Sequence, residues 1–258
     1  MGTGGSIPAV VGPDSATTAW VAAVVTNGGT VSSPRQTIVD TLIKGLKADA
    51  VWGDLDRLWL HAAENEPSAL TDLVSLSLAT AVSFPTFTTD RGYTGNGSSS
   101  YVNTGYTPSV NGVNYTLSSA SFGAWVVTVD ATLFHAAVGV VGSGSGRGRI
   151  YWNTDWEGEI NTSSGLTAST AATGLIAFVM SGTDKLYING SVDNPGGNSP
   201  LTVPDQAFCV DASGQSGGAT NFGAHQVAAA FMGGALSSTD MSNFYTRLRT
   251  YMTAVGVP

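Results

Sequence analysis

The run SFGAWVVTVD, at residues 121–130, most restricts how this chain can fold. Its apolar residues alternate in two sets, Phe122, Ala124 and Val126 against Trp125, Val127 and Val129. Because the side chains of a strand point to opposite faces in turn, both faces of this strand are apolar. Such a strand predicts a central position in a sheet that other layers cover on both sides.

Short strands and turns dominate the chain after residue 83. The 258 residues include 33 glycines, and the polar helix formers Lys, Glu and Arg are scarce. Aromatic and β-branched residues surround a Gly-Asn-Gly turn at 95–97, and Asn189-Gly190 is typical of a hairpin. HQVAAAFMGG, at 225–234, predicts one more strand. These features predict a mostly β fold, either a sandwich or a jelly roll.

The N-terminal third is predicted to attach the protein rather than to build the sandwich. Residues 1–33 lack periodicity, so they predict an extended N-terminal arm. Residues 34–85 predict a small helical attachment segment, whose first helix begins at a capping-box pattern of Ser33 and Gln36. Residues 86–258 then form the jelly-roll β-sandwich.

A helix at residues 238–254 is predicted to close the sandwich. Ser237 and Asp240 form its capping pattern. Apolar residues recur along it at helical spacing, namely Met241, Phe244, Tyr245, Leu248, Tyr251 and Met252. This stripe predicts that the helix packs on the rim of the β domain.

The charge balance and the apolar runs exclude several partners. The net charge is −8 and the isoelectric point is about 4.6, whereas affinity for nucleic acids depends on basic side chains that neutralise phosphates. No apolar run reaches the length of a transmembrane helix, about 20 residues. The N-terminus lacks the basic and apolar regions of a secretory signal. We therefore expect no nucleic-acid partner, no membrane insertion and no secretion.

The stretch YWNTDWEGEI, at residues 151–160, concentrates aromatic and acidic residues. A Trp ring offers an apolar face to the C–H face of a sugar, and a carboxylate accepts hydrogen bonds from hydroxyl groups. We interpret the stretch as a ligand-facing hairpin. Its candidate carbohydrate-binding residues are Trp152, Asp155, Trp156 and Glu157.

The same stretch raises the question of catalysis. Asp155, Glu157 and Glu159 alternate, and alternate residues of a strand share a face at a spacing of about 6.5–7 Å. A retaining glycosidase needs two carboxyl groups about 5–5.5 Å apart. A turn predicted at residues 153–155 takes Asp155 off the face of Glu159. The pattern favours, in this order, an ordinary surface hairpin, carbohydrate contact and catalysis, and we assign no catalytic residue.

No metal or cofactor site is predicted. His61, His135 and His225 are far apart in the sequence and lack metal-ligand spacing. No EF-hand-like spacing of carboxylates occurs. Cys209 is the single cysteine and lies in an apolar run, which predicts a buried small hydrophobe.

Three pieces of the sequence together resemble a known fold family. YTGNGSSSYVNTGY at 93–106 is similar to the opening strands of that fold, and DKLYINGSVDN at 184–194 is similar to its internal hairpin. FMGGALSSTDMSNFYTRLRTYM at 231–252 resembles its closing strand and helix. In this order the pieces resemble a concanavalin A-like, laminin-G-like jelly roll over residues 86–258.

The upstream part resembles a module of tailed-bacteriophage virion proteins, through LKADAVWGDLDRLWLHAAEN at 46–65 and FTTDRGYTGNG at 87–97. This resemblance implies a non-enzymatic virion structural protein, such as a head decoration, spike or tail-fibre component, at the virion surface. It implies contact with host surface glycans, a homo-oligomer, and attachment to capsid, tail or fibre proteins through the N-terminal arm. Two alternatives stay open: a carbohydrate-binding adhesin that acts as a receptor-binding protein, and a polysaccharide depolymerase.

Overall fold

The computed structural model describes residues 12–170 and 172–258. Helices α1 to α5 are Ser15–Thr26, Ser33–Ala48, Glu66–Leu70, Pro108–Asn111 and Ser238–Ala254. None of the helices within these described ranges has the length and apolar character of a membrane span. Strands β1 to β17 are Leu55–Trp59, Thr80–Val82, Thr86–Thr88, Gly92–Thr94, Tyr101–Asn103, Ser119–Thr128, His135–Val141, Arg147–Asn153, Asp155–Thr162, Leu166–Thr167, Gly174–Ser181, Thr183–Ile188, Ser191–Asn194, Cys209–Val210, Ser213–Gln215, Gly218–Thr220 and Gln226–Gly233.

The strands form two sheets, sheet I and sheet II. The order in sheet I is β13-β12-β11-β6-β17-β4-β3, and β1 pairs with one end of β17. The order in sheet II is β10-β9-β8-β7-β14-β5-β2, with β15 and β16 beside β7. The described pairings are antiparallel apart from that of β15 with β7. The sheets pack face to face, which confirms the predicted mostly β jelly-roll sandwich.

Strand β6 contains the run that alternates two apolar faces. It pairs with β11 on one side and with β17 on the other. Phe122 and Val126 face the core between the two sheets, where Phe178 and Trp156 also lie. Trp125 faces a second core, under the helices. The predicted central strand with both faces buried is therefore confirmed.

Helices α1, α2 and α5 cover the outer face of sheet I. The ring centroid of Phe231 in β17 lies 4.5 Å from that of Phe244 in α5, and Trp125 stacks on Tyr245 at 5.8 Å. The predicted position of the closing helix on the rim is wrong, because its apolar stripe packs on the face of the sheet. An apolar stripe of this width needs an equally wide apolar surface to cover it.

The starts of the two long helices depend on their caps. The predicted capping box of α5 is confirmed, since Ser237 and Asp240 each accept a hydrogen bond from the backbone N–H of the other. Helix α2 is capped by Ser32, one residue before the predicted cap, and the Ser32 hydroxyl accepts from the N–H of Arg35. The Glu64 carboxylate fixes Ser32 by accepting from its backbone N–H and its hydroxyl. This tertiary contact is not visible in the local sequence.

Residues 15–26 form helix α1, so the prediction of an extended arm is wrong for this part of it. Asp14 caps the helix, and the buried side chains recur at helical spacing, namely Thr17, Trp20 and Val24. The indole N–H of Trp20 donates to the carbonyl of Thr71 at 3.2 Å. Thr and Val have modest helix propensity, so tertiary burial of one face stabilises this helix. Residues 1–11 of the predicted arm lie outside the described residues.

Two strands from before residue 86 lie within the sandwich. Strand β1 pairs with β17, with Trp59 opposite Ala230, and β2 pairs with β5 in sheet II. The pairing therefore continues upstream of the start predicted for the jelly roll. The attachment role of residues 34–85 stays a prediction.

Candidate functional site

The β8–β9 hairpin sets the register of the acidic stretch. Asn153 pairs with Asp155 across a single residue, Thr154, whose φ of 66° is left-handed. Asp155 is therefore the first residue of β9, and it shares one face with Glu157 and Glu159. The turn lies at the predicted residues 153–155, but the prediction that it takes Asp155 off the face of Glu159 is wrong, because so tight a turn leaves the alternation of the strand intact.

The two tryptophans point to the opposite side, into the core between the sheets. Trp156 is 0% exposed, and its indole N–H donates to the carbonyl of Ala172 at 2.7 Å. Trp152 is half-buried and meets Trp156 edge-on at 5.3 Å. Trp156 is wrong as a sugar-stacking residue, because its ring does not reach solvent. The predicted set does not form one site, since the pleat separates both tryptophans from Asp155 and Glu157.

The outer face of the hairpin contains a closed ion pair. Nε and Nη2 of Arg149 donate to Oε2 and Oε1 of Glu159 at 3.0 and 2.7 Å. Nη1 of Arg147 lies 3.7 Å from the same Oε1. Glu159 is 3% exposed. Both of its oxygens have cationic partners, so this carboxylate has a structural role.

The next row of the same face joins a tyrosine to a half-buried carboxylate. The Tyr151 hydroxyl donates to Oε2 of Glu157 at 3.0 Å. The Asn153 amide and the Thr167 hydroxyl donate to Oε1 at 3.1 and 3.3 Å. Burial raises the pKa of Tyr151, and the charges of Glu159 and Glu157 raise it further. Tyr151 therefore stays protonated and holds the Glu157 carboxylate in a fixed orientation.

An exposed phenylalanine stands beside this row. Phe134 is 53% exposed, and its ring centroid lies 6.1 Å from that of Tyr151. Its backbone N–H donates to the carbonyl of Trp152 at 2.7 Å. Its φ is 63°, a left-handed value that bulky residues rarely adopt. Such a conformation costs about 1–3 kcal/mol, so the surrounding contacts must hold this residue in place.

A carboxylate–histidine cluster braces the loop between β6 and β7. The Asp130 carboxylate accepts from Nδ1 of His135 at 2.5 Å, and from the N–H groups of Thr132 and Ala224 at 3.0 and 2.9 Å. The N–H of Asp130 donates to Nδ1 of His225 at 2.9 Å. The neutral His225 ring therefore carries its proton on Nε2 and donates it to the His135 carbonyl at 3.1 Å. Two histidines that are far apart in the sequence thus meet at one carboxylate.

Burial and hydrogen bonding act in opposite directions on the acids at this end of sheet II. Burial raises the pKa of Asp130, but the hydrogen bonds that it accepts, first from His135, outweigh burial and lower the pKa to about 2. Burial raises the pKa of Asp211 well above its ordinary value. Burial also lowers the pKa of His225, which agrees with its neutral tautomer.

Five residues form what we call the aromatic–carboxylate face: Phe134, Arg149, Tyr151, Asn153 and Glu157. It presents an exposed ring beside a carboxylate that protein donors hold in place. Of the predicted site residues, Glu157 belongs to it and Asp155 adjoins it on the same strand. Sequence reasoning missed the other four. The alternation within RGRIYWN, at 147–153, could have indicated three of them, because it places them on the face opposite Trp152.

The described part of the chain contains no assembled site for metal or thiol chemistry. Within residues 12–170 and 172–258, no three His, Cys, Asp or Glu side chains lie where they could hold a metal ion. Cys209 is 1% exposed, and burial raises its pKa to about 12. The predicted role of Cys209 as a buried small hydrophobe is confirmed.

No family model and no curated protein matches this chain. Solved structures match its fold. The sialidase of Trypanosoma rangeli in complex with 2,3-difluorosialic acid has a TM-score of 0.55 at 13% identity, over 84% of this chain and 40% of the sialidase. The same sialidase in complex with sialic acid has a TM-score of 0.53. This chain thus spans 40% of the length of these sialidases, and at this identity the likeness shows the fold alone.

A second likeness concerns a domain of another glycosidase. Domain 4 of an extracellular GH43 arabinanase from Geobacillus stearothermophilus, in complex with arabinotriose, has a TM-score of 0.46 at 14% identity. The match covers 74% of this chain and 98% of that domain.

These comparisons correct one prediction and confirm only one part of another. The prediction that the chain is not an enzyme is wrong as an exclusion, because the solved structures with this fold include sialidases. The β-sandwich part of the resemblance seen in the sequence is confirmed. None of the structures named above is a phage protein, so the virion part of that resemblance stays a prediction.

Proposed function

We propose that this chain is a carbohydrate-binding β-sandwich that holds a glycan on its aromatic–carboxylate face. The observation that carries the proposal is the exposed ring of Phe134 next to Tyr151 and the oriented carboxylate of Glu157. The fold supports it, since the solved structures with this fold include a sialidase in complex with sialic acid and with 2,3-difluorosialic acid.

Two kinds of contact would hold the sugar. The apolar C–H face of a pyranose or furanose ring packs on Phe134, and the apolar surface removed from water contributes about 25 cal/mol per Å². Sugar hydroxyls donate to the carboxylate of Glu157, and a hydrogen bond to a charged group contributes about 1.5–3 kcal/mol. Asn153 and Tyr151 keep the carboxylate in place, so little rotational freedom is lost on binding.

A glycan array compared across two phenylalanine variants tests the proposal. Phe134→Ala is expected to weaken binding at least about tenfold, because it removes the stacking surface. Phe84→Ala is the matched control. Phe84 is 96% exposed and also has a left-handed φ, 57°, but it follows β2, the edge strand of sheet II that lies three strand spacings, about 14 Å, from β7.

The outcomes separate clearly. Binding that Phe134→Ala removes and Phe84→Ala preserves supports the site. A blank array contradicts the carbohydrate-binding function. Binding that survives Phe134→Ala would show that the glycan binds to another surface of the protein.

Glycoside hydrolysis is the second candidate function. Asp155 and Glu157 share the outer face of β9, and both are half-buried rather than closed in ion pairs. Neighbouring residues on one face lie about 6.5–7 Å apart, within the range of about 6.5–9.5 Å for the two carboxyl groups of inverting glycosidases. Release of reducing ends from a polysaccharide panel tests this function. Glu157→Gln should abolish turnover, and turnover that Glu157→Gln leaves unchanged contradicts it.

A role as a virion component is a separate proposal. Attachment to capsid, tail or fibre proteins through the N-terminal part, and a homo-oligomer at the virion surface, rest on the sequence resemblance. Mass spectrometry of purified particles tests both, because a virion component is present at a fixed copy number. Absence of the chain from the particles would contradict this role.

A further inference from the structure

The charges on the aromatic–carboxylate face and its borders do not cancel. Two arginines, Arg147 and Arg149, stand against three carboxylates, Asp155, Glu157 and Glu159, so this patch has one negative charge in excess. The whole chain has a net charge of −8, so its long-range field has the same sign.

The positive charges of the patch are already engaged. Arg149 makes two hydrogen bonds to Glu159, and the side chains are 17% and 4% exposed. Arg147 lies 3.7 Å from the same carboxylate and is 37% exposed, but it stands four residues along β8 from Tyr151, beyond Arg149. A ligand carboxylate or sulfate could take the two hydrogen bonds of Arg149 only by displacing Glu159, which would leave a buried carboxylate without its closest partner. Breaking a buried ion pair in this way is strongly unfavourable.

The groups that remain for a ligand are mostly acceptors and negative charges. The hydroxyl hydrogen of Tyr151 and one of the two amide hydrogens of Asn153 are already donated to Glu157. The described residues provide no hydrogen-bond donor to the side chain of Asp155, which borders the face on β9. Acceptors of this kind suit a ligand rich in hydroxyl donors. They repel a ligand that brings a carboxylate or sulfate within a few ångströms.

We infer that this face selects neutral glycans and rejects anionic ones, such as uronates, sialosides and sulfated sugars. The inference rests on the proposed carbohydrate-binding function and adds the substrate class. The fold resembles that of a sialidase whose bound ligands are acidic sugars. The paired arginines here indicate the opposite preference for this chain.

An array of neutral glycans and their acidic counterparts, read at 50 mM NaCl, tests the inference. Binding confined to neutral glycans is the expected result. Preferential binding of acidic glycans overturns the inference and leaves the carbohydrate-binding function standing. A blank array overturns the carbohydrate-binding function, and the inference falls with it.

The bound neutral glycan and its counterpart with a carboxylate at C6 give a matched pair. We expect the carboxylate form to bind at least about tenfold more weakly at 50 mM NaCl. The ratio should shrink at 500 mM NaCl, where the Debye length is about 4 Å. A ratio that does not change with salt shows that shape and not charge excludes the acid, and it overturns the inference.

Charge-removing variants locate the effect. Asp155→Asn and Glu157→Gln should each reduce the ratio several-fold, and Asp155→Asn does so without disturbing the hydrogen bonds that Glu157 accepts. Glu66→Gln removes the same charge from an exposed residue of α3 and should leave the ratio unchanged. An equal effect of Glu66→Gln would assign the selectivity to net charge and contradict a local origin.

Discussion

Sheet I and sheet II have the same strand geometry, but their outer faces have different roles. The central strands of sheet I, β6, β11 and β17, are buried along almost their whole length, because helices cover one face and sheet II covers the other. In strand β8 of sheet II, the outward-facing Arg149 and Asn153 are half-buried and Tyr151 is 8% exposed, whereas Ile150 lies in the core. The inner residues of β8 complete the core, and its outer residues form a polar network around Tyr151 and Glu157.

The difference shows where a sandwich of this kind can bind something. A face that packs against helices has no surface left for a ligand, so substitutions there act on stability. A face with exposed rings and oriented carboxylates can change its side chains at little cost to the core. Binding and stability should therefore respond to different residues in the two sheets.

The largest expected effect is on the stability of sheet I. Phe231→Ala should lower the free energy of unfolding by about 3–5 kcal/mol, because it opens a cavity under Phe244. Phe134→Ala, on sheet II, should lower it by less than about 0.5 kcal/mol, since its ring is half exposed. Urea denaturation followed by circular dichroism measures both. Equal losses would contradict the division between the sheets.

The next largest effect is expected at the ion pair of Arg149 and Glu159, which borders the aromatic–carboxylate face. Glu159→Gln should cost about 2 kcal/mol, because Arg149 loses a charged partner that sits in a largely buried position. A double-mutant cycle with Arg149→Gln should give a coupling energy above about 1 kcal/mol. Additive losses would show that the two side chains are stabilised independently.

A third effect depends on pH. The folded pKa of Asp130 is about 2, below the ordinary value of 3.8, so its charged form is favoured in the folded state. This stabilisation is present above about pH 4 and is lost as the pH falls towards 2. Asp130→Asn should cost about 1–2 kcal/mol at pH 6, and the difference from the wild type should shrink between pH 4 and 2. Urea titrations over this range measure it, and a difference independent of pH would contradict a role for the charge.

The smallest expected effect separates strain from binding. Phe134→Gly and Thr154→Gly each relieve a left-handed φ, and each should raise the free energy of unfolding by about 1 kcal/mol after the entropy cost of glycine. Only Phe134→Gly should lose glycan binding. Calorimetry measures stability and binding on the same samples. A loss of stability in both variants would show that neither conformation is strained.

The elements whose signals are local could be predicted from the amino-acid sequence. The two apolar faces of β6 predicted a strand covered on both sides, and the caps and stripe at 238–254 predicted the closing helix. Asn189-Gly190 predicted the turn between β12 and β13, where both residues have a positive φ. Each signal lies within a few residues, because capping, turn conformation and strand alternation depend on neighbours in the chain.

Which of these residues could contact a ligand depended on contacts between distant segments. YWNTDWEGEI contained the right chemistry, but a one-residue turn and the pleat of the strand sent Trp156 into the core and Glu157 to the outside. Phe134 immediately precedes β7 and Tyr151 lies in β8. Only the pairing of β7 with β8 brings their rings together.

The same reason explains helix α1 and the histidine cluster. Trp20 is buried against residues that lie far along the chain, and Asp130 meets His225 across 95 positions. Periodicity predicts which side chains share one face of a helix or strand. It does not predict which other element covers that face, because burial and pairing depend on contacts between distant segments.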